Sequence, residues 1–149
     1  MFEDFNEDLV VVYAEDSPSS IRYLRPGDLT AVGVKSDQLR ALAVSNLRKL
    51  LPKTEIRPGP LVSMILAGGD YEASLLLFDD LWTGGKIAVD ADVVVAIPAR
   101  DILLFTGSKN RAGIARLCEL ASKAAPELSY RLTDRRFVHR GGRFERFTE

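Results

Sequence analysis

One cysteine, one histidine, one tryptophan and two methionines stand among 149 residues, and these scarcities exclude whole classes of protein. A lone thiol closes no intramolecular disulfide, so the chain is not a disulfide scaffold. A lone histidine cannot furnish a metal site or a triad that needs two. Long apolar runs are missing as well: Leu75–Phe78 and Val93–Ile97 fall far short of the ~20 residues that span a bilayer. The chain opens with Glu3, Asp4, Glu7 and Asp8 and no base, whereas a secretory leader opens basic. No membrane partner and a cytoplasmic address are expected, and Cys118 suits a reducing compartment.

Excess charge of one sign is also lacking, with 20 Lys+Arg against 21 Asp+Glu and a formal charge of −1. What is present is globular: 46% of residues are hydrophobic and 28% charged, in a length that supports one domain with its own core. Charge is nevertheless uneven. Residues 1–20 hold six acids and no base, and residues 131–149 hold six arginines against three acids. No internal repeat, low-complexity tract or Gly/Ser linker interrupts the chain, so residues 1–149 read as a single domain.

Periodicity supplies the elements. Leu9–Ala14 and Ile21–Leu24 read as strands around the turn-rich Glu15–Ser20, with another turn at Arg25–Asp28. A helix is predicted from Ser36 to Leu51, capped by Ser36, with Leu39, Leu42, Ala43, Leu47 and Leu50 on one face and Pro52 as its stop. After the break at Arg57–Pro60, Leu61–Ala67 reads as a buried strand. Gly68-Gly69-Asp70 then opens a second helix carrying Tyr71, Leu75, Phe78 and Trp82, capped by Asp70 and ended by Gly84-Gly85. Strands at Asp92–Ile97 and Ile102–Thr106 flank a turn begun by Pro98. A third helix covers about Asn110 to Ala125, with Ile114, Leu117, Cys118 and Ala121 as its apolar stripe. The tail 135–147 is a hairpin turning at Gly141-Gly142, in a register that sets His139 against Phe144 and Phe137 against Arg146. Strands joined by short turns favour antiparallel pairing. The fold class is therefore α+β, a largely antiparallel mixed sheet with three helices.

Catalytic signatures do not emerge. Neither a Walker-type nor a dinucleotide fingerprint is present. Asp70 and Glu72 place carboxylates in the helix turn after Gly68-Gly69, where an anion would be repelled. Asp90, Asp92, Asp79 and Asp80 lack the ligand spacing of a calcium loop, so no metal is expected. A Cys118–His139 pair is disfavoured, because Cys118 falls on an apolar stripe. Asn46 lies on the apolar face of its helix and reads as a buried amide tying that helix to a neighbouring backbone; Arg48 points away from it, to solvent.

Three segments together resemble the YtpQ-like family of bacterial proteins of unknown function: Ala43–Arg48 (A-x-x-N-L-R), Tyr71–Ser74 (Y-[DE]-A-S) and the strand ending Pro98–Asp101 (P-x-x-D). Order and spacing match from about Leu9 to about Leu120, though family members often carry a further N-terminal region. The resemblance implies a bacterial cytoplasmic protein and points to Asn46, Arg48, Tyr71, Glu72, Ser74 and Asp101 as a candidate constellation. It supplies no catalytic base for Ser74, and no G-x-S-x-G elbow surrounds that serine. Tyr71 and Ser74 are expected to pack or hydrogen-bond the adjoining strands, and Asp101 to brace the Pro98 turn.

The leading expectation is a non-enzymatic protein-binding module, chaperone- or adaptor-like and homodimeric, without a cofactor. Its alternative is a small-ligand protein or enzyme with a pocket around Asn46, Tyr71, Ser74 and Asp101. A third reading, nucleic-acid binding through the hairpin, is disfavoured by the balanced net charge. Arg136, Arg140, Arg143 and Arg146 form the candidate partner surface, and the acids of residues 3–16 are their expected internal acceptors.

Overall fold

The computed structural model describes residues 1–124 and 128–148. Two compact units emerge, residues 1–50 and 51–149.

In the first unit, β1 (Phe2–Asp4) pairs antiparallel with β2 (Val10–Val12), and β3 (Ala14–Ser17) with β4 (Ser20–Tyr23). The expected strand 9–14 is thus divided between two ribbons, and the acidic opening segment is itself a strand. The Arg25–Asp28 turn leads into a short helix, α1 (Asp28–Val32), absent from the sequence reading. The Asp28 carboxylate accepts from the Arg25 N–H at 2.8 Å and from Arg22 at 3.0 Å, and Gly33 closes α1 in the left-handed conformation at φ 69°. The long helix α2 (Ser36–Leu50) begins at the predicted residue and ends one short of Leu51, with Ser36 as its first helical residue rather than the cap before it. Its stripe is less covered than expected: Leu39 is buried, whereas Leu42 and Leu50 are exposed.

The second unit is built on a six-stranded sheet, antiparallel throughout, in the order β10-β9-β7-β8-β6-β5. Its strands are β5 (Glu55–Arg57), β6 (Ser63–Leu66), β7 (Val93–Ala99), β8 (Ile102–Gly107), β9 (Arg136–Arg140) and β10 (Arg143–Arg146). The hairpin β9–β10 adopts the predicted register, His139 opposite Phe144 and Phe137 opposite Arg146. The central strand β7 is buried along its whole length, as a strand covered on both faces must be. On one face α4 (Arg111–Ala124) sets Ile114, Leu117 and Ala121 against Val94, Ala96, Leu104 and Val138. Ala125 and Pro126, taken as the end of that helix, lie outside the described residues. On the other face the Trp82 ring meets Phe144 edge-on at 5.1 Å.

The segment between β6 and β7 departs from expectation. A single helix from Asp70 was predicted; instead a 3₁₀ helix (Glu72–Leu77) is followed by a separate α3 (Asp79–Thr83). The described helices therefore number five rather than three, within the predicted α+β class. Asp70 caps nothing here and is exposed. The reason is Glu72, whose fully buried carboxylate Oε1 accepts the N–H groups of Ala67 at 3.0 Å and Gly69 at 2.7 Å. A further donor, the Ala73 N–H, is spent on Arg100 O at 2.9 Å. Pro98 also differs from its predicted place. It lies inside β7, at the register shift between Ala96 and Ala99, where a residue without an N–H interrupts the ladder. The turn itself is Arg100-Asp101.

Candidate functional site

The two motif segments of the second unit meet. Tyr71–Ser74 forms the first turn of the 3₁₀ helix, closed by Ser74 N–H to Tyr71 O at 3.0 Å, and Ala73 joins it to the Arg100 carbonyl. Tyr71, Ser74 and Asp101 are each half-buried and Glu72 is fully buried. Glu72, read from sequence as a carboxylate in the helix turn that would repel an anion, is the group that holds the Gly68-Gly69 turn against the end of β6. Its signal was available: an acid three residues after Gly69 can reach back to that residue's N–H, as the N3 acid of a capping box does.

The expected brace by Asp101 is replaced by main chain. Arg100 N–H donates to Tyr130 O at 3.2 Å, and Leu132 N–H donates to Pro98 O at 2.9 Å, with Ala99 and Arg131 forming an isolated bridge. The Arg100 guanidinium carbon lies 3.5 Å from the Tyr130 ring centroid. Sequence reasoning passed over both residues, since nothing in the pattern brings positions thirty apart together.

The remaining motif residues, Asn46 and Arg48, belong to α2 in the first unit, and both are exposed. Asn46 is therefore not the buried amide expected: with Leu42 and Leu50 also in water, its face of α2 is hydrated and demands no internal partner. Elsewhere in that unit Tyr13 and Arg40 both donate to Glu3 Oε1. These bonds, the tyrosine's first, hold the Glu3 carboxyl below the usual carboxylate value. Burial and then the Glu3 bond push the Tyr13 phenol up.

Two hairpin arginines find acids of their own unit rather than residues 3–16. Arg140 Nε pairs with Asp92 at 2.8 Å, and Arg143 lies 3.4 Å from Glu145. Of the N-terminal acids, Glu3 serves Arg40 and Glu15 serves Arg22. Arg146 is exposed and Arg136 half-buried, with its guanidinium 5.7 Å from the Phe147 ring. Cys118 and His139 are not a pair: α4 covers the sheet face that carries Val138, and the next residue, His139, turns to the opposite face, 4.9 Å from the Phe144 ring. Among the described residues no group of three or more His, Cys, Asp or Glu side chains could hold a metal ion, and no helix is long and apolar enough to cross a membrane. A shallow groove beside β5, lined by Pro52, Lys53, Thr54, Glu55, Leu66 and Gly68, includes none of the candidate residues.

A small α+β unit with an antiparallel sheet and a main-chain-braced turn is what fold and site define, and the sequence is similar to a set of bacterial proteins. It is 26% identical over 137 residues to a UPF0354 protein of Bacillus cytotoxicus, covering 91% of this chain and 51% of that protein. UPF0354 proteins of Bacillus cereus and Bacillus thuringiensis subsp. konkukian are 26% identical over 144 residues, 95% of this chain and 53% of theirs. The chain thus spans about half the length of these relatives, whose names state no activity. No family model matches the sequence, and no solved structure matches it.

Proposed function

We propose that this chain belongs with the UPF0354 proteins and acts as a non-enzymatic protein-binding module whose first partner is a second copy of itself. Support for membership is an alignment over nearly the whole chain. The observation that carries the binding reading is the β1–β2 ribbon. Strand alternation puts Val11 inside, yet the opposite face, where polar residues are usual, carries Phe2, Val10 and Val12, exposed by 68%, 51% and 50%. Such apolar side chains gain ~25 cal/mol for each Å² removed from water, and a two-fold pairing would cover the same patch on both copies.

Light scattering across a protein concentration series tests this. A dimer mass is expected for the wild type, and a monomer mass for Val12→Asp with an unchanged circular dichroism spectrum. A wild type that stays monomeric at every concentration refutes self-association.

A further inference from the structure

The acid-rich start of the chain and its arginine-rich end carry an inference that rests on the self-association proposed above and names what covers the ribbon. Val11 and Tyr13 are buried while Val10, Val12 and Ala14 are exposed, so the alternation of β2 runs on into β3. Cross-strand pairing adds Phe2 beside Val12, Tyr23 beside Ala14 and Ile21 beside Asp16 to one exposed face. Asp4, opposite Val10, lies on that face as well. The single base of these four strands, Arg22, sits on the reverse face, paired with Glu15 and Asp28. Two such faces set against each other would crowd carboxylates together with no base between them, and like charges so placed repel.

The hairpin β9–β10 has the opposite character. Arg140 and Arg143 stand directly across its ladder from each other, a pairing of like charges that is unfavourable until acids approach. Each has one carboxylate of its own unit, Asp92 at 2.8 Å and Glu145 at 3.4 Å, yet their side chains stay 52% and 78% exposed, open to further acids. We infer that, in the self-associated protein, the ribbon face of one copy docks on the Arg140–Arg143 face of the second copy's hairpin, and the reciprocal contact closes the dimer. A two-fold axis supplies both contacts, since each patch of one copy then meets the other patch of its partner. Arginine complements both components of the ribbon face. Its apolar stem covers the valines, and its guanidinium serves the Phe2 ring or the Asp4 carboxylate.

The sign of the salt dependence is the first test. Light scattering of the wild-type chain should show association weakened several-fold between ~50 and ~500 mM sodium chloride, because screening removes attraction between opposite charges. Association that is unchanged or strengthened by salt, as acid-bearing ribbons meeting each other would give, overturns the inference. In the second test, the full chain carrying p-benzoylphenylalanine in place of Phe2 is mixed with 15N-labelled wild type and irradiated, and the joined peptides are identified by mass. A crosslink from position 2 of one copy to residues 136–146 of the other is expected. A crosslink to residues 2–23 of the other copy refutes this docking while leaving self-association intact, and a crosslink confined to one copy refutes it as well. Asp4→Arg and Arg143→Glu should each weaken association several-fold, and the two together in one chain should recover it; a folded double variant that stays as weak as either single one counts against the contact. A wild type that is monomeric at every concentration removes self-association itself, and this inference with it.

Discussion

Replacing Glu72 with alanine removes the acceptor that closes the Gly68-Gly69 turn, and its cost can be worked from the structure. Ala67 is only 2% exposed, so its N–H would be left dry, at ~1–3 kcal/mol. Gly69 is exposed, its N–H turns to water, and about 1 kcal/mol is lost there. Against this, the substitution also deletes Oε2, a buried oxygen without a partner, which offsets part of the loss. The net expectation is a destabilisation of ~2–3 kcal/mol. Glu72→Gln keeps an acceptor for both N–H groups but gives up the charge assistance and sets its amide NH2 where Oε2 has no partner, and should cost ~1–2 kcal/mol. Trp82 is the assay. It is the single tryptophan, and its Nε1–H donates to Leu75 O at 2.9 Å within the same segment. Urea unfolding followed by its fluorescence should rank wild type above Gln above Ala, with an unchanged m-value. An alanine variant within ~0.5 kcal/mol of wild type would refute the view that Glu72 organises this turn.

Gly113→Ala should destabilise by ~1–3 kcal/mol although alanine ordinarily favours a helix, because its Cβ would lie 2.2 Å from Thr106 Oγ1 and 2.7 Å from Leu61 O; thermal melting of the pair checks this. Glu3 is held below its ordinary value of 4.5 by Tyr13 and Arg40, so its stabilising bonds are complete above that pH and are lost as pH falls through the lowered value. Tyr13 ring resonances should therefore begin to move below pH 4.5, and in Glu3→Gln that transition should vanish. An Arg143→Ala/Arg146→Ala variant should keep wild-type stability to within ~1 kcal/mol. Fluorescence anisotropy with labelled single-stranded oligonucleotides should show no binding for either protein; micromolar, salt-sensitive binding lost in the variant would promote the nucleic-acid reading.

Sequence alone was most informative where local chemistry decides. A Gly-Gly dipeptide between strand-forming residues fixes a two-residue loop, and with it the pairing of His139 with Phe144. Pro52 bounds α2 because proline acts on the helix it follows, whereas Ser36, the first helical residue, does not cap it. Tertiary demands account for the rest. The broken helix at residues 72–83 reflects N–H groups of Ala67, Gly69 and Ala73 drawn to partners that periodicity cannot display. The short strands β1 and β5 exist by virtue of their neighbours, at three residues each. Asn46 was misplaced because an apolar stripe implies a covering surface only when one is supplied. Of the candidate residues, the pattern put Tyr71, Glu72 and Ser74 on one segment, but that Arg100 of the adjoining turn would stack on Tyr130 was beyond reach.

Among the described residues the sheet of the second unit ends in β5 on one side and β10 on the other, and the make-up of these flanks bears on aggregation. The inner strands β7 and β8 run seven and six residues, whereas the flanking β5 and β10 have three and four. Short flanks offer little template for a foreign strand. Pro52, Pro58 and Pro60 bracket β5, and proline withholds the donor that an added strand would need. Arg143, Glu145 and Arg146 line β10, and two such strands docked antiparallel about their midpoint would bring Arg143 of one copy against Arg146 of the other. Like charges set opposite each other disfavour that pairing. Ion pairs so exposed add little to folding; what these arginines secure is that the sheet ends with its own last strand.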